Sequence, residues 1–106
     1  MNALDNKFLD FEKKSNGTVS YSNDVLISIA ETAAREIEGV TSLKISELEI
    51  EEIRVRIKTS IILEYGLALV EKARQVQDVI KNMLDIMTGL EVVSVNVTIA
   101  ALNIGE

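Results

Sequence analysis

The chain has no cysteine, histidine, proline or tryptophan among its 106 residues. Each absence removes a class of chemistry. Without Cys there is no disulfide framework, no thiolate metal site and no Cys nucleophile. Without His, the usual general base near neutral pH and the commonest metal ligand are missing. A Ser-His-Asp triad, a Cys-His pair and a standard zinc site are therefore excluded by inventory. The aromatics are Phe8, Phe11, Tyr21 and Tyr65 alone, too few for a base-stacking platform. No apolar run approaches the roughly 18 residues that cross a bilayer. Asp5, Lys7 and Asp10 stand where a signal peptide would be apolar. These features predict a cytoplasmic location and no direct membrane insertion.

What is present suits one globular domain. The chain is 47% hydrophobic, and a domain of this size buries about 65% of the surface its unfolded chain exposes. A core can form without metal or disulfide staples. The net charge is −6. Phosphate-backbone binding needs clustered Lys and Arg, so this balance argues against nucleic acid as the main partner. Residues 1–17 are polar and of mixed charge, and read as a mobile tail with Phe8, Leu9 and Phe11 as its large apolar groups. The domain is expected over residues 18–106.

Thr18 to Tyr21 is a short alternating strand candidate. Ser22, Asn23 and Asp24 supply a helix cap and an acidic first turn. The spacing of Val25, Ile29, Ala33 and Ile37 predicts a helix to about Ile37, with Leu26 and Ala30 widening its stripe. Gly39 is the expected stop. Leu43 to Ile50 reads as extended, with a phase slip between Ile45 and Leu48 that predicts a bulge or turn. A long strand follows, bent or broken near Thr59-Ser60. Ile53, Val55, Ile57, Thr59, Ile61, Leu63 and Tyr65 face one way; Arg54, Arg56, Lys58, Ser60, Ile62 and Glu64 face the other. The link over Glu49–Glu52 has no Gly, Asn or Pro to make a hairpin turn.

After Gly66, the stripe Leu69, Ala73, Val76, Ile80, Met83 and Met87 predicts a second helix, with Met83 and Met87 in the core. It ends at Thr88-Gly89. Leu90 to Ala101 reads as a last strand, with Val93, Val95, Val97 and Ile99 inward and Ser94, Asn96 and Thr98 outward. The fold class is therefore α+β in the order β-α-β-β-α-β, two helices covering one face of a small mixed sheet. Periodicity leaves ferredoxin-like and KH-like pairing orders both open.

Two charged runs invite functional readings. Glu47, Glu49, Glu51 and Glu52 are dense, but no Gly shapes them into an ion-binding loop. Opposed to Arg54, Arg56 and Lys58 on a neighbouring strand, they are more simply cross-strand ion pairs. The basic row has no interleaved aromatic, and no G-x-x-G loop joins two helices; RNA binding through Arg54, Arg56 and Lys58 is the alternative reading. Gly39, Gly66 and Gly89 each stand alone, so none builds a phosphate loop. No catalytic, metal or cofactor residue is assigned. Apolar residues on outward phases suggest a contact surface instead: Ile27 and Ala34 on the first helix, Ile62, Val92 and Ala100 on strands. Of these, Ile27, Ala34 and Ile62 form the candidate interaction set together with Arg54, Arg56, Lys58, Gln77 and Asn96.

Read in order, Gly17-Thr18-Val19-Ser20-Tyr21-Ser22-Asn23-Asp24-Val25, Glu36-Ile37-Glu38-Gly39-Val40, Glu64-Tyr65-Gly66, Val76-Gln77-Asp78-Val79, Met87-Thr88-Gly89-Leu90 and Val95-Asn96-Val97 resemble the alkaline shock protein family of Gram-positive bacteria. The resemblance covers about Gly17 to Ile104. It implies a small cytosolic protein without catalysis or cofactor, concerned with envelope stress or lipid homeostasis. It further implies self-association and partners that are other proteins, one of them membrane-anchored. The sequence departs from the family pattern at Leu48 to Ile53, where a Glu-rich stretch replaces a Gly-containing turn.

Overall fold

The computed structural model describes residues 19–104, so the expected tail over residues 1–17 lies outside the described residues. The elements are α1 (Asn23–Arg35), β1 (Val40–Glu51), β2 (Arg54–Glu64), α2 (Leu69–Thr88) and β3 (Glu91–Asn103). The sheet order is β1-β2-β3, with β1 antiparallel and β3 parallel to the central β2. This is the expected α+β domain, two helices covering one face of a mixed sheet. Val19 to Tyr21, the described part of the expected first strand, is not in a strand. β2 and β3 pair directly, leaving no place between them for another strand. Tyr21 instead anchors the chain to the end of α2, its hydroxyl donating to the Thr88 carbonyl at 3.2 Å.

The Ser22 hydroxyl caps α1 by accepting the Val25 N–H at 3.2 Å, satisfying one of the helix's orphan donors. The helix ends at Arg35, short of Ile37, with Glu36 as its cap. Its buried line is Leu26, Ala30, Ala33 and Ala34, while Val25 is exposed. The core-facing side is thus rotated from the expected stripe. Ala34, expected on the outside, is fully buried, and small residues there let α1 lie close to its neighbours. Gly39 is not the cap. It shapes the turn into β1 at φ +96°, where a Cβ would overlap the Leu67 side chain.

β2 supplies the centre of the core. Val55, Ile57, Ile61 and Leu63 are fully buried, and Thr59 is nearly so. The strand is continuous through Thr59-Ser60. Thr59 is tolerated inside because its hydroxyl donates to the Lys44 carbonyl at 2.8 Å. Ile53 and Tyr65, expected to continue the inward row, lie beyond the strand ends and are exposed. Val76, Ile80 and Leu84 of α2 close the core from above. Met83 and Met87, expected there, are exposed, because the buried line of α2 runs beside theirs.

Four bulges set which residues face the helices. The expected phase slip in β1 is an extra residue at Ser46, and a second lies at Thr41. In β3 the register skips Val93 and Ala100. The Val93 bulge flips the phase: Val92 is buried and Val93 partly exposed, the reverse of expectation. The connection from β1 to β2 is only Glu52-Ile53, with Glu52 at φ +58°. A two-residue hairpin needs positive φ, usually supplied by Gly or Asn; here Glu supplies it.

Candidate functional site

The helices leave the other side of the sheet open. On it, cross-strand partners align by register: Glu47 opposite Lys58, Glu49 opposite Arg56, Glu51 opposite Arg54. Successive outward residues repeat every two positions, so each strand presents a column. β1 presents an acidic column and β2 a basic one. Arg56 and Lys58 are opposite Ser94 and Asn96 of β3, and Arg54 is opposite Glu91. Lys58 Nζ lies 3.2 Å from Glu47 Oε1 and Arg54 Nε 3.9 Å from Glu91 Oε1, all four side chains more than half exposed. Exposed pairs of this kind contribute little stability, about 0–1 kcal/mol. Their effect is to fix a pattern of charge.

A recess of about 100 Å³ on this face is lined by Glu47, Glu49, Arg56, Lys58, Ser94 and Asn96. That is well below the roughly 300–1,000 Å³ of small-molecule sites. The face can take a side chain but not enclose a metabolite. Arg54, Arg56 and Lys58 each face a carboxylate, while Lys44 is opposite Ser60, so the field a phosphate backbone would need is largely cancelled along the basic column. Among the described residues, no group of three or more acidic side chains is placed to hold a metal ion, and no helix is long and apolar enough to cross a membrane.

Of the candidate residues, the structure brings together Arg54, Arg56, Lys58 and Asn96, all exposed on this face, and places half-buried Ile62 further along it. It sets Ile27 and Ala34 apart, and Gln77 lines a recess of about 310 Å³ with Val92 and Asn96. Ile27 is half-buried on α1 and Ala34 is inside the core. Val92 is core as well, and Ala100 is a bulge residue. Gln77 serves the fold: its side-chain amide donates to the Val95 carbonyl at 3.1 Å, joining α2 to β3.

Sequence reasoning missed a second surface. Outward sides of α1 and α2 meet in a groove of about 490 Å³ whose apolar lining is Ile29, Ala33, Val79, Met83 and Met87. The signal was there: the α2 stripe, with Val79 beside it, is wider than the Val76, Ile80 and Leu84 line that suffices for the core.

The fold is similar to that of solved MamM CTD structures. The zinc form of one variant matches with TM-score 0.51 and 16% identity over 78% of this chain and 89% of that one. Another variant matches with TM-score 0.50 and 16% identity over 74% and 93%. At this identity the likeness establishes the shared fold alone. The family model of alkaline shock protein 23, described as having a cell envelope-related function, matches residues 46–104. That span holds β2, α2, β3 and the acidic column of β1, and meets the resemblance read from the sequence motifs. The protein belongs to the alkaline shock protein 23 family.

Proposed function

We propose that the protein is a non-catalytic protein-binding module of the cell envelope machinery, and that its open sheet face is the contact surface. The observation that carries this reading is the pair of adjacent, opposite columns: Glu47, Glu49 and Glu51 beside Arg54, Arg56 and Lys58. Such a face favours a partner with the complementary stripes and repels one with the wrong register, which is specificity by charge. A second copy meets the requirement. Turned about a two-fold axis parallel to the strands, its acidic column lies over the first copy's basic column, level by level. Through this face the protein self-associates, and by the same stripes it engages a membrane-anchored protein. Family membership supports the envelope setting.

Sedimentation velocity across a concentration series tests it. The wild-type chain should associate at about 50 mM salt and dissociate at about 500 mM, because exposed charges are screened. Replacing Arg54, Arg56 and Lys58 by Glu should abolish association. Adding Glu47→Lys, Glu49→Lys and Glu51→Lys to that variant should restore it. A strictly monomeric wild type, or association indifferent to both salt and the triple reversal, would sink the reading. Copurification from the membrane fraction, lost in the same triple variant and still absent in the six-fold one, whose stripes are exchanged relative to an unaltered partner, tests the anchored partner.

A further inference from the structure

The groove between α1 and α2 lies on the side of the molecule away from the open sheet face, so its role is independent of the function proposed for that face. α1 and α2 run antiparallel: Tyr21 bonds the Thr88 carbonyl at one end, and Lys72 Nζ donates to the Glu38 carbonyl at 2.7 Å at the other. Glu36 is the one charged residue in the lining of the groove among the described residues. Met87 in that lining is 58% exposed, and the same two helices carry Ile86, 77% exposed, and Val25, 46% exposed. An apolar, charge-depleted and methionine-rich patch with a polar edge has the composition of an interface core.

Three observations bear on what could occupy it. The first is where the chain enters the fold. Val19 is two residues from Tyr21, which is held at the last turn of α2, so the preceding segment starts at the Met87 end of the groove. Phe11 is eight residues before Val19, a reach of up to about 26 Å. The lining from Ser28 to Glu36 spans only about 12 Å of helix. The second is composition. The chain's two phenylalanines, Phe8 and Phe11, both precede the described residues. Leu4, Phe8 and Phe11 are spaced by four and three, the spacing that aligns side chains along one helical face. The third is charge. The last turn of α2 carries Asp85 and no basic residue, so the negative end of its dipole is uncompensated by its own sequence. Lys13 and Lys14 are tethered six and five residues before Val19, within reach of that end.

We propose that the segment Leu4 to Lys14 of the same chain seats in the groove, Phe8 and Phe11 against Ile29, Met83 and Met87, with Lys13 and Lys14 at the α2 terminus. Because the protein has no cysteine, engineered pairs report position without background. In the full chain, Phe11→Cys with Met83→Cys should form an intramolecular disulfide under mild oxidation at least about tenfold faster than Phe11→Cys with Asn96→Cys, whose second thiol lies on the open sheet face. Circular dichroism verifies that both variants are folded. As a second measurement, Phe8→Ala with Phe11→Ala should raise binding of an apolar dye several-fold, and Met83→Gln with Met87→Gln should return it to the wild-type level. Equal disulfide rates for the two pairs would overturn the proposal. So would covalent dimers in place of crosslinked monomers, which would put a second copy's segment in the groove. Unchanged dye binding in the Phe double variant would overturn it as well.

Discussion

Glu52→Gly should stabilise the protein, although it removes a side chain and adds a flexible residue. The reason is local. Glu52 sits at φ +58° in a two-residue connection, and the left-handed region costs an L-residue about 1–2 kcal/mol. Glycine removes that strain but loses about 0.5–1 kcal/mol to its greater freedom in the unfolded chain. Glu52 is exposed, so little packing is lost with its side chain. The net gain is about 0.5–1 kcal/mol, a rise in Tm of about 2–8 °C for a domain of this size. Scanning calorimetry with urea unfolding measures it. Two controls isolate the cause. Glu52→Gln keeps the backbone requirement and removes the charge, and should leave Tm within about 2 °C of wild type, since exposed substitutions shift stability by about 0.5 kcal/mol or less. Ile53→Gly adds flexibility where φ is not positive, and should lower Tm. An unchanged or lower Tm for Glu52→Gly, or a rise in Glu52→Gln as large as that in Glu52→Gly, would refute the argument from backbone strain.

Gly39→Ala and Gly89→Ala should differ, although both positions have positive φ. Only at Gly39 would the new Cβ overlap a side chain, that of Leu67. Gly89→Ala should cost about 1 kcal/mol from strain, and Gly39→Ala clearly more, by urea midpoint. Thr59→Val keeps the shape of a buried residue but loses the bond to the Lys44 carbonyl; a loss of about 1 kcal/mol is expected from the same measurement. Ile61→Ala, at a fully buried site on the central strand, should cost about 2–5 kcal/mol, a large share of the whole stability of such a domain.

The sheet face and the helix groove differ in how far the sequence revealed them. The stretch Arg54-Val55-Arg56-Ile57-Lys58 had a single consistent reading, because charged and apolar residues alternate strictly through it. The facing columns Glu47, Glu49, Glu51 and Arg54, Arg56, Lys58 were legible for the same reason. The Ser46 bulge was visible too, since Ile45 and Leu48 cannot share a face at period two unless a residue is inserted. The bulges at Val93 and Ala100 were not. In Val92-Val93-Ser94 and in Ile99-Ala100-Ala101 both candidate phases are apolar, so alternation cannot choose between them. The rotation of α1 was hidden likewise: Val25, Ile29, Ala33 and Leu26, Ala30, Ala34 are two apolar lines side by side, and composition does not say which one the sheet takes.

By itself, then, the sequence determined the chemical class and the building blocks. Its missing residue types exclude thiol and imidazole chemistry, and its periodicities specify two helices and three of the strands. Those properties are local, set by residue identity and spacing. Tertiary structure decided which apolar line became core, that Met83 and Met87 face outward, and that Glu52 takes a glycine's conformation. It also decided that the two charge columns share one uncovered face. Each of these depends on contacts between segments far apart in the chain, where burial against a particular neighbour outweighs the preference of any single stretch.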